Sequence, residues 1–169
     1  MKRVIALLME NQPGALSRVV GLFSQRGYNI ETLVVAPTSD PTLSRLTMST
    51  EGDEKVVEQI TKQLDKLIDV VLVTNLSDSE FVERELMLIK FDKDSFPKEA
   101  FEEKNIVSKS DEIVNVQVVG TSMELDNLVS EVQNNKPIEI VRSGPLGISS
   151  DKNTLSIDCL LYTSDAADD

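Results

Sequence analysis

The 169-residue chain has no histidine, no tryptophan, a single cysteine and only seven aromatic residues, five Phe and two Tyr. The absence of histidine removes the commonest general base and metal ligand, and the lone Cys159 provides neither an intramolecular disulfide nor a zinc-type cysteine pair. Neither a Gly-x-Gly-x-x-Gly nor a Walker-type loop occurs. Apolar runs stop well short of the roughly 20 residues that span a bilayer. The N-terminus lacks the apolar stretch and cleavage site of a signal peptide, so a cytoplasmic location is expected. Basic residues are also scarce. Seventeen Lys and Arg face 29 Asp and Glu, giving a formal charge of −12, which disfavours nucleic acid and anionic membranes as partners. Five Asp and one Lys beyond residue 150 account for −4 of this, leaving −8 for residues 1–150. Catalysis would rest on carboxylates and lysines alone. The acids of Glu83-Arg84-Glu85 and Glu51-Gly52-Asp53-Glu54 read as solvated charge at a strand start and a helix N-terminus. The chain is therefore expected to be no enzyme and to bind no metal.

What is present is concentrated between residues 4 and 36. Val4, Ile5, Leu7 and Leu8 form a β-prone run that breaks at Asn11-Gln12-Pro13-Gly14. Pro13 suits the first position of a helix, and Leu16, Val19, Val20 and Phe23 then recur at helical spacing. The first turn of such a helix leaves N–H groups free at the positive end of the dipole, and Gly14 and Ala15 have too little side chain to cover them. A carboxylate could dock there, and the Asn11 side-chain carbonyl could accept a hydrogen bond from an ammonium group. Together these groups match a zwitterion. The plain alternative is a strand-to-helix turn with an Asn cap. On the plain reading Ser17, Arg18 and Arg45 are surface residues and Tyr28 is packing.

The first half continues with a strand at Ile30–Val35, a turn at Thr38–Pro41 and a hairpin partner at Leu43–Thr50. A helix opened by Gly52-Asp53 carries Val56, Val57, Ile60, Leu64 and Leu67, and a closing strand spans Asp69–Thr74. This βαββαβ order is ferredoxin-like. It covers one sheet face with helices and leaves the other solvated or free for association, with Ile30–Val35 at an edge. Leu76–Glu80 reads as a linker. In the second half, Arg84–Phe91 reads as a strand buried on both faces and Asp92–Glu103 as a weak helix. Val114, Val116 and Val118 mark a strand, Leu125, Leu128, Val129 and Val132 a helix, and Ile138–Val141 a last strand. The expected class is α+β: a ferredoxin-like domain over 1–76, a second small ferredoxin-like domain over 77–150, and an unrelated or disordered tail over 151–169.

Glu10-Asn11, Gly14–Arg18, Gly21–Ile30, Val35–Thr38, Asp40–Arg45, Gly52-Asp53 and Glu58–Leu64 together resemble the regulatory small subunit of acetolactate synthase, also called acetohydroxyacid synthase. Its N-terminal half is an ACT domain. Val82–Lys90, Val118–Ser122 and Val141–Gly144 resemble that subunit's second half, and Ala100–Ile113 is several residues shorter than the family pattern. The resemblance implies ACT domains paired side by side in a homodimer, with effector sites at the interface. Gly14, Ala15 and Leu16 N–H groups would then hold the effector carboxylate and Asn11 its ammonium. Asn29 and Ile30 of the partner chain would form the second wall, and Leu8, Leu33, Val35 and Ala36 would line an apolar pocket. It further implies activation of a catalytic large subunit and feedback inhibition by valine or another branched-chain amino acid. Thiamine diphosphate, magnesium and flavin would belong to the large subunit. The runner-up is a stand-alone ACT-type amino-acid sensor that regulates another protein.

Overall fold

The computed structural model describes residues 1–157, which divide into two units. One comprises Met1–Val82 together with the chain from Gly147 onward, and the other Glu83–Leu146. The cysteine and most of the acidic tail lie outside the described residues. No helix among those described is long and apolar enough to cross a membrane.

In the first unit, β1 (Lys2–Glu10), β2 (Thr32–Pro37), β3 (Leu43–Glu51) and β4 (Val70–Asn75) form an antiparallel sheet in the order β2-β3-β1-β4. Two helices, α1 (Ala15–Arg26) and α2 (Glu54–Asp65), complete the ferredoxin-like order. The central strand β1 is buried from Val4 to Met9. Its alternate residues Ile5, Leu7 and Met9 join Val19, Phe23, Val57, Ile60 and Leu64 in the main core, as the two-residue period of a strand requires. Asp53 caps α2 by accepting from Val56 N at 2.9 Å, the usual way an acid satisfies a free first-turn donor.

Three local expectations shift. Helix α1 begins at Ala15, so Pro13 lies in the preceding turn and left-handed Gly14 (φ 87°) takes the cap position. The buried stripe of α1 is Ala15, Val19 and Phe23, while Leu16 stays 37% exposed. Leu76, read above as linker, is 2% exposed and packs with Val4 and Ala6 on the sheet's outer face.

That outer face is covered by the chain's own later residues. Strand β9 (Leu146–Ser149) brings Gly147 so close to Leu76 that a Cβ there would stand 2.7 Å from Leu76 Cδ1. Arg45 Nη2 donates to Gly147 O at 2.7 Å, and Leu155 packs on the same cluster. Residues 151–157 of the expected tail are thus described and lie with the first unit, while 158–169 lie outside the described residues.

The second unit repeats the strand order with β5 (Phe81–Asp92), β6 (Ile106–Lys109), β7 (Ile113–Gly120) and β8 (Glu139–Arg142), arranged β6-β7-β5-β8. The β9 strand also pairs with β5. Only one α-helix occurs here, α3 (Ser122–Val132), with a reciprocal Thr121–Glu124 capping box. The expected helix after β5 is replaced by three short 3-10 turns at Lys93–Ser95, Lys98–Ala100 and Glu103–Asn105. Phe96 and Phe101 from this stretch stack on each other and meet Phe91 at steep angles, with the ring centroids of each pair 5.7 Å apart. Aromatic clustering supplies here the cover that a helix supplies in the first unit. β5 is also not buried on both sides. Met87, Ile89 and Phe91 are core, whereas Leu86 and Leu88 are 39% and 44% exposed.

Candidate functional site

The β1–α1 junction is built by backbone bonds before any side chain acts. Glu10 N donates to Asp69 O and Asn11 N to Thr42 O, both at 2.8 Å, pinning the end of β1 to the start of β4 and to the β2–β3 hairpin. Gln12 N then bonds Glu10 O at 3.0 Å and Ala15 N bonds Gln12 O at 3.3 Å, closing a tight turn. Gly14 completes it at φ 87°, a conformation that carries little penalty only without a Cβ. Among the described residues no side chain caps α1, and its first turn contains no acidic residue. The positive end of the helix dipole is therefore left without an anionic neighbour from its own first turn.

The expected site residues fall into two groups. Asn11, Gly14 and Leu16 are exposed and meet at this junction, whereas the Ala15 side chain is buried and its N–H is engaged by Gln12 O. Asn11 Nδ2 donates to Pro41 O at 3.0 Å, and among the described residues its Oδ1 accepts nothing. The Nδ2 donation leaves the side-chain carbonyl available as an acceptor. Asn29 and Ile30 stand at the far end of α1, twelve residues or about 18 Å along the helix axis. Asn29 is exposed with its carbonyl accepting from Thr50 Oγ1 at 2.7 Å, and Ile30 packs against the main core. Within one chain the two groups are not brought together.

The apolar lining expected from Leu8, Leu33, Val35 and Ala36 is corrected by the pleat. Leu33 and Val35 pack against the helix-side core, while Ala36 is exposed and Leu8 alternates away from core-facing Leu7 and Met9. These four cannot share a wall. A cleft of about 330 Å³ lies on the outer face, lined by Arg45, Thr74, Leu76, Ser79, Ile148 and Leu155 among others, and includes no junction residue. Burial pushes the Arg45 guanidinium below its usual range.

Sequence reasoning missed the charged core of the junction. Asp69, only 2% exposed, accepts from Arg18 Nε, from Arg18 Nη2 at 2.9 Å and from Gln12 Nε2 at 3.1 Å. The Arg18 hydrogen bonds hold the Asp69 carboxyl below its ordinary value, against the opposing effect of desolvation. Gln12 Nε2 also reaches Glu10 Oε2. The third guanidinium nitrogen, Arg18 Nη1, stands beside Gly14, 2.8 Å from where a Cβ would be. Among the described residues Nη1 has no hydrogen-bond partner. Nothing local in the sequence signals a pair 51 residues apart.

A second missed pair lies in the other unit. Glu85, 4% exposed, accepts from Arg142 Nε at 2.9 Å, Arg142 Nη2 at 2.8 Å, Ser122 Oγ at 3.0 Å and Gly144 N at 3.1 Å. Arg142 Nη1 is taken by Asp126. Burial is the largest influence on Glu85 and pushes its carboxyl up, but the donors from Arg142, Ser122 and Gly144 together bring it below the usual range. The earlier reading of Glu83-Arg84-Glu85 as solvated charge holds for exposed Arg84 and fails for Glu85.

The strand order β2-β3-β1-β4, two helices on one face, and a glycine turn opening an uncapped helix define an ACT-type domain. The profile of the AHAS small subunit-like ACT domain matches residues 5–72, and that of the small subunit of acetolactate synthase matches residues 84–151. The Escherichia coli acetolactate synthase isozyme 3 small subunit is 47% identical over 156 residues, covering 88% of this chain and 96% of that one. The Haemophilus influenzae acetolactate synthase small subunit is 45% identical over 163 residues, covering 92% and 100%. The crystal structure of the small subunit from Thermotoga maritima superimposes with a TM-score of 0.79 at 32% identity, covering 90% of this chain and 99% of that one. The chain belongs to the family of acetolactate synthase small subunits.

Proposed function

We propose that this chain is the regulatory subunit of a cytoplasmic acetolactate synthase. It binds and activates the catalytic large subunit, and it conveys feedback inhibition by valine or a related branched-chain amino acid bound at an interface between two ACT domains. The large subunit supplies thiamine diphosphate, magnesium and flavin, and this chain supplies the sensor. The observation that carries the reading is the β1–α1 junction. A left-handed glycine opens a helix without a side-chain cap, beside an Arg18 nitrogen that has no hydrogen-bond partner among the described residues, and the Asn11 side-chain carbonyl of the same turn is likewise without one. On this reading the helix opening and Arg18 take the effector carboxylate and the Asn11 carbonyl takes its ammonium. Asn29 and Ile30 of a partner chain complete the pocket. The match of residues 84–151 to the small-subunit family favours this over a stand-alone sensor.

Inhibition requires that the effector bind the inhibited and active states of the complex with different affinity, a coupling typically of about 1–3 kcal/mol. Apolar selection among valine, leucine and isoleucine is of similar size, about 1–3 kcal/mol per methylene, so overlapping responses are expected. The test is calorimetric titration of the three amino acids into the full chain and its Gly14→Asp variant. Saturable valine binding that is lost in the variant supports the reading. The added carboxylate would meet both the incoming anion and Arg18, and it would sit on a backbone that disfavours any Cβ. Unchanged valine affinity in Gly14→Asp sinks it.

A further inference from the structure

We infer that Asp69 is a positioning residue of the effector loop: held in the protein interior, it aims the fork of Arg18 so that Nη1 is presented beside Gly14 to the effector carboxylate. The inference rests on the proposed sensor role and assigns the geometry behind it to two residues outside the turn itself.

A guanidinium has five N–H donors in a fixed plane. Asp69 takes the Nε and Nη2 edge in a two-pronged grip, which fixes that plane as a single contact would not. The remaining nitrogen is then directed to one place, beside the glycine at the helix opening. The same carboxylate accepts from Gln12 Nε2, and its backbone carbonyl accepts from Glu10 N, so side chain and main chain of one residue fasten the start and the middle of the 10–14 turn. Asp69 itself is 2% exposed and too deeply placed to touch a ligand. Arg18 is about half exposed on its side chain, as a group that meets a ligand must be. A cation in a fixed orientation next to first-turn N–H groups binds a carboxylate with less ordering cost than a free one does.

Asp69→Asn keeps the shape and removes the charge that grips Arg18. Two measurements on the full chain decide the matter, with Arg18→Gln and the double variant alongside. The first is backbone amide exchange. Ala15 and Arg18 amides, bonded to Gln12 O and Gly14 O, are expected to exchange at least tenfold faster in Asp69→Asn, with the Val57 amide of α2 unchanged. The second is valine calorimetry. Each single variant is expected to weaken binding at least tenfold, and the double variant no further, because both act through one grip. Unchanged exchange at Ala15 and Arg18 overturns the grip itself. Faster exchange or a lower melting temperature with wild-type valine affinity overturns its role toward the effector and leaves only a structural clasp. Failure of the wild-type chain to bind any of the three amino acids overturns the sensor reading, and with it the effector role assigned to Arg18, whatever the exchange shows.

Discussion

Each unit buries one acid against one arginine, and the two pairs are finished differently. In the second unit Arg142 gives Nε and Nη2 to Glu85 and Nη1 to Asp126, so every nitrogen of the fork is engaged. In the first unit Arg18 gives Nε and Nη2 to Asp69 and leaves Nη1 beside an uncapped helix. With all three of its nitrogens donating, Arg142 acts as a brace across β5, α3 and β8. An unsaturated fork beside a glycine turn holds a polar group in reserve at a place where structure alone asks for none. The contrast is between an arginine whose three nitrogens all donate and one whose third nitrogen, among the described residues, does not.

The largest effect should come from breaking the saturated pair. Arg142→Ala leaves Glu85 buried with only Ser122 and Gly144 donating, and removing one partner of a buried pair costs about 3–5 kcal/mol. A loss of about 3 kcal/mol in urea unfolding at pH 7 is expected. The pH dependence has a definite sign. The donors hold Glu85 below its usual range, so its contribution in the wild type is present above about pH 4.5 and is lost as pH falls through the folded-state value. In Arg142→Ala burial dominates and the carboxyl rises, so acid relieves the variant while it weakens the wild type. The gap between them should narrow between pH 7 and pH 4. A gap that stays constant over that range would show that Arg142 stabilises through packing of its stem and not through Glu85.

The two outer sheet faces provide the next contrast. In the first unit Val4, Ala6 and Leu76 are covered by Gly147 and Leu155. In the second, Leu86, Leu88, Val119 and Val141 are 39–64% exposed. The pairings Leu86 with Val119 and Leu88 with Val141 place them side by side. Leu76→Ala therefore empties a packed site, for which about 2–5 kcal/mol is typical. We expect about 2–3 kcal/mol by urea unfolding, because the neighbouring cluster is small and can partly collapse. A loss below 1 kcal/mol would mean that residues 147–155 do not cover this face in solution.

Much of this was legible in the sequence, and the failures have particular causes. Strand and helix periods placed the ferredoxin-like order of the first unit, because Ile5, Leu7, Val57, Ile60 and Leu64 alternate or recur as a buried face demands. The junction at Asn11–Gly14 was readable because Pro and Gly punctuate the chain. The phase of α1 is set by Ala15, whose small side chain does not stand out in an apolar pattern and yet is buried with Val19 and Phe23. The helix expected over 92–103 is absent because Phe96 and Phe101 bury themselves on Phe91 without it. Glu85 could have been found by parity, being two residues before Met87 on the face that Ile89 and Phe91 continue. Arg18 with Asp69 had no such signal. The apolar run at Leu86–Phe91 was ambiguous in principle, since a strand with apolar residues on both sides looks the same whether both faces are covered or one is bare.

The smallest expected effect bears on that ambiguity. Leu88→Thr puts a β-branched, strand-compatible residue at a position 44% exposed, paired with Gln117 on one side and Val141 on the other. If the face is open in solution, little apolar area returns to water on unfolding, and the change should lie within about 0.5 kcal/mol, as for ordinary surface substitutions. The same replacement at a covered position forfeits most of the transfer free energy of a leucine, about 1.5–3 kcal/mol. Urea midpoints of Leu88→Thr and Leu76→Ala measured together therefore read the two faces on one scale. A Leu88→Thr loss approaching that of Leu76→Ala would erase the difference between the units and mean that something covers the second sheet as Leu155 covers the first.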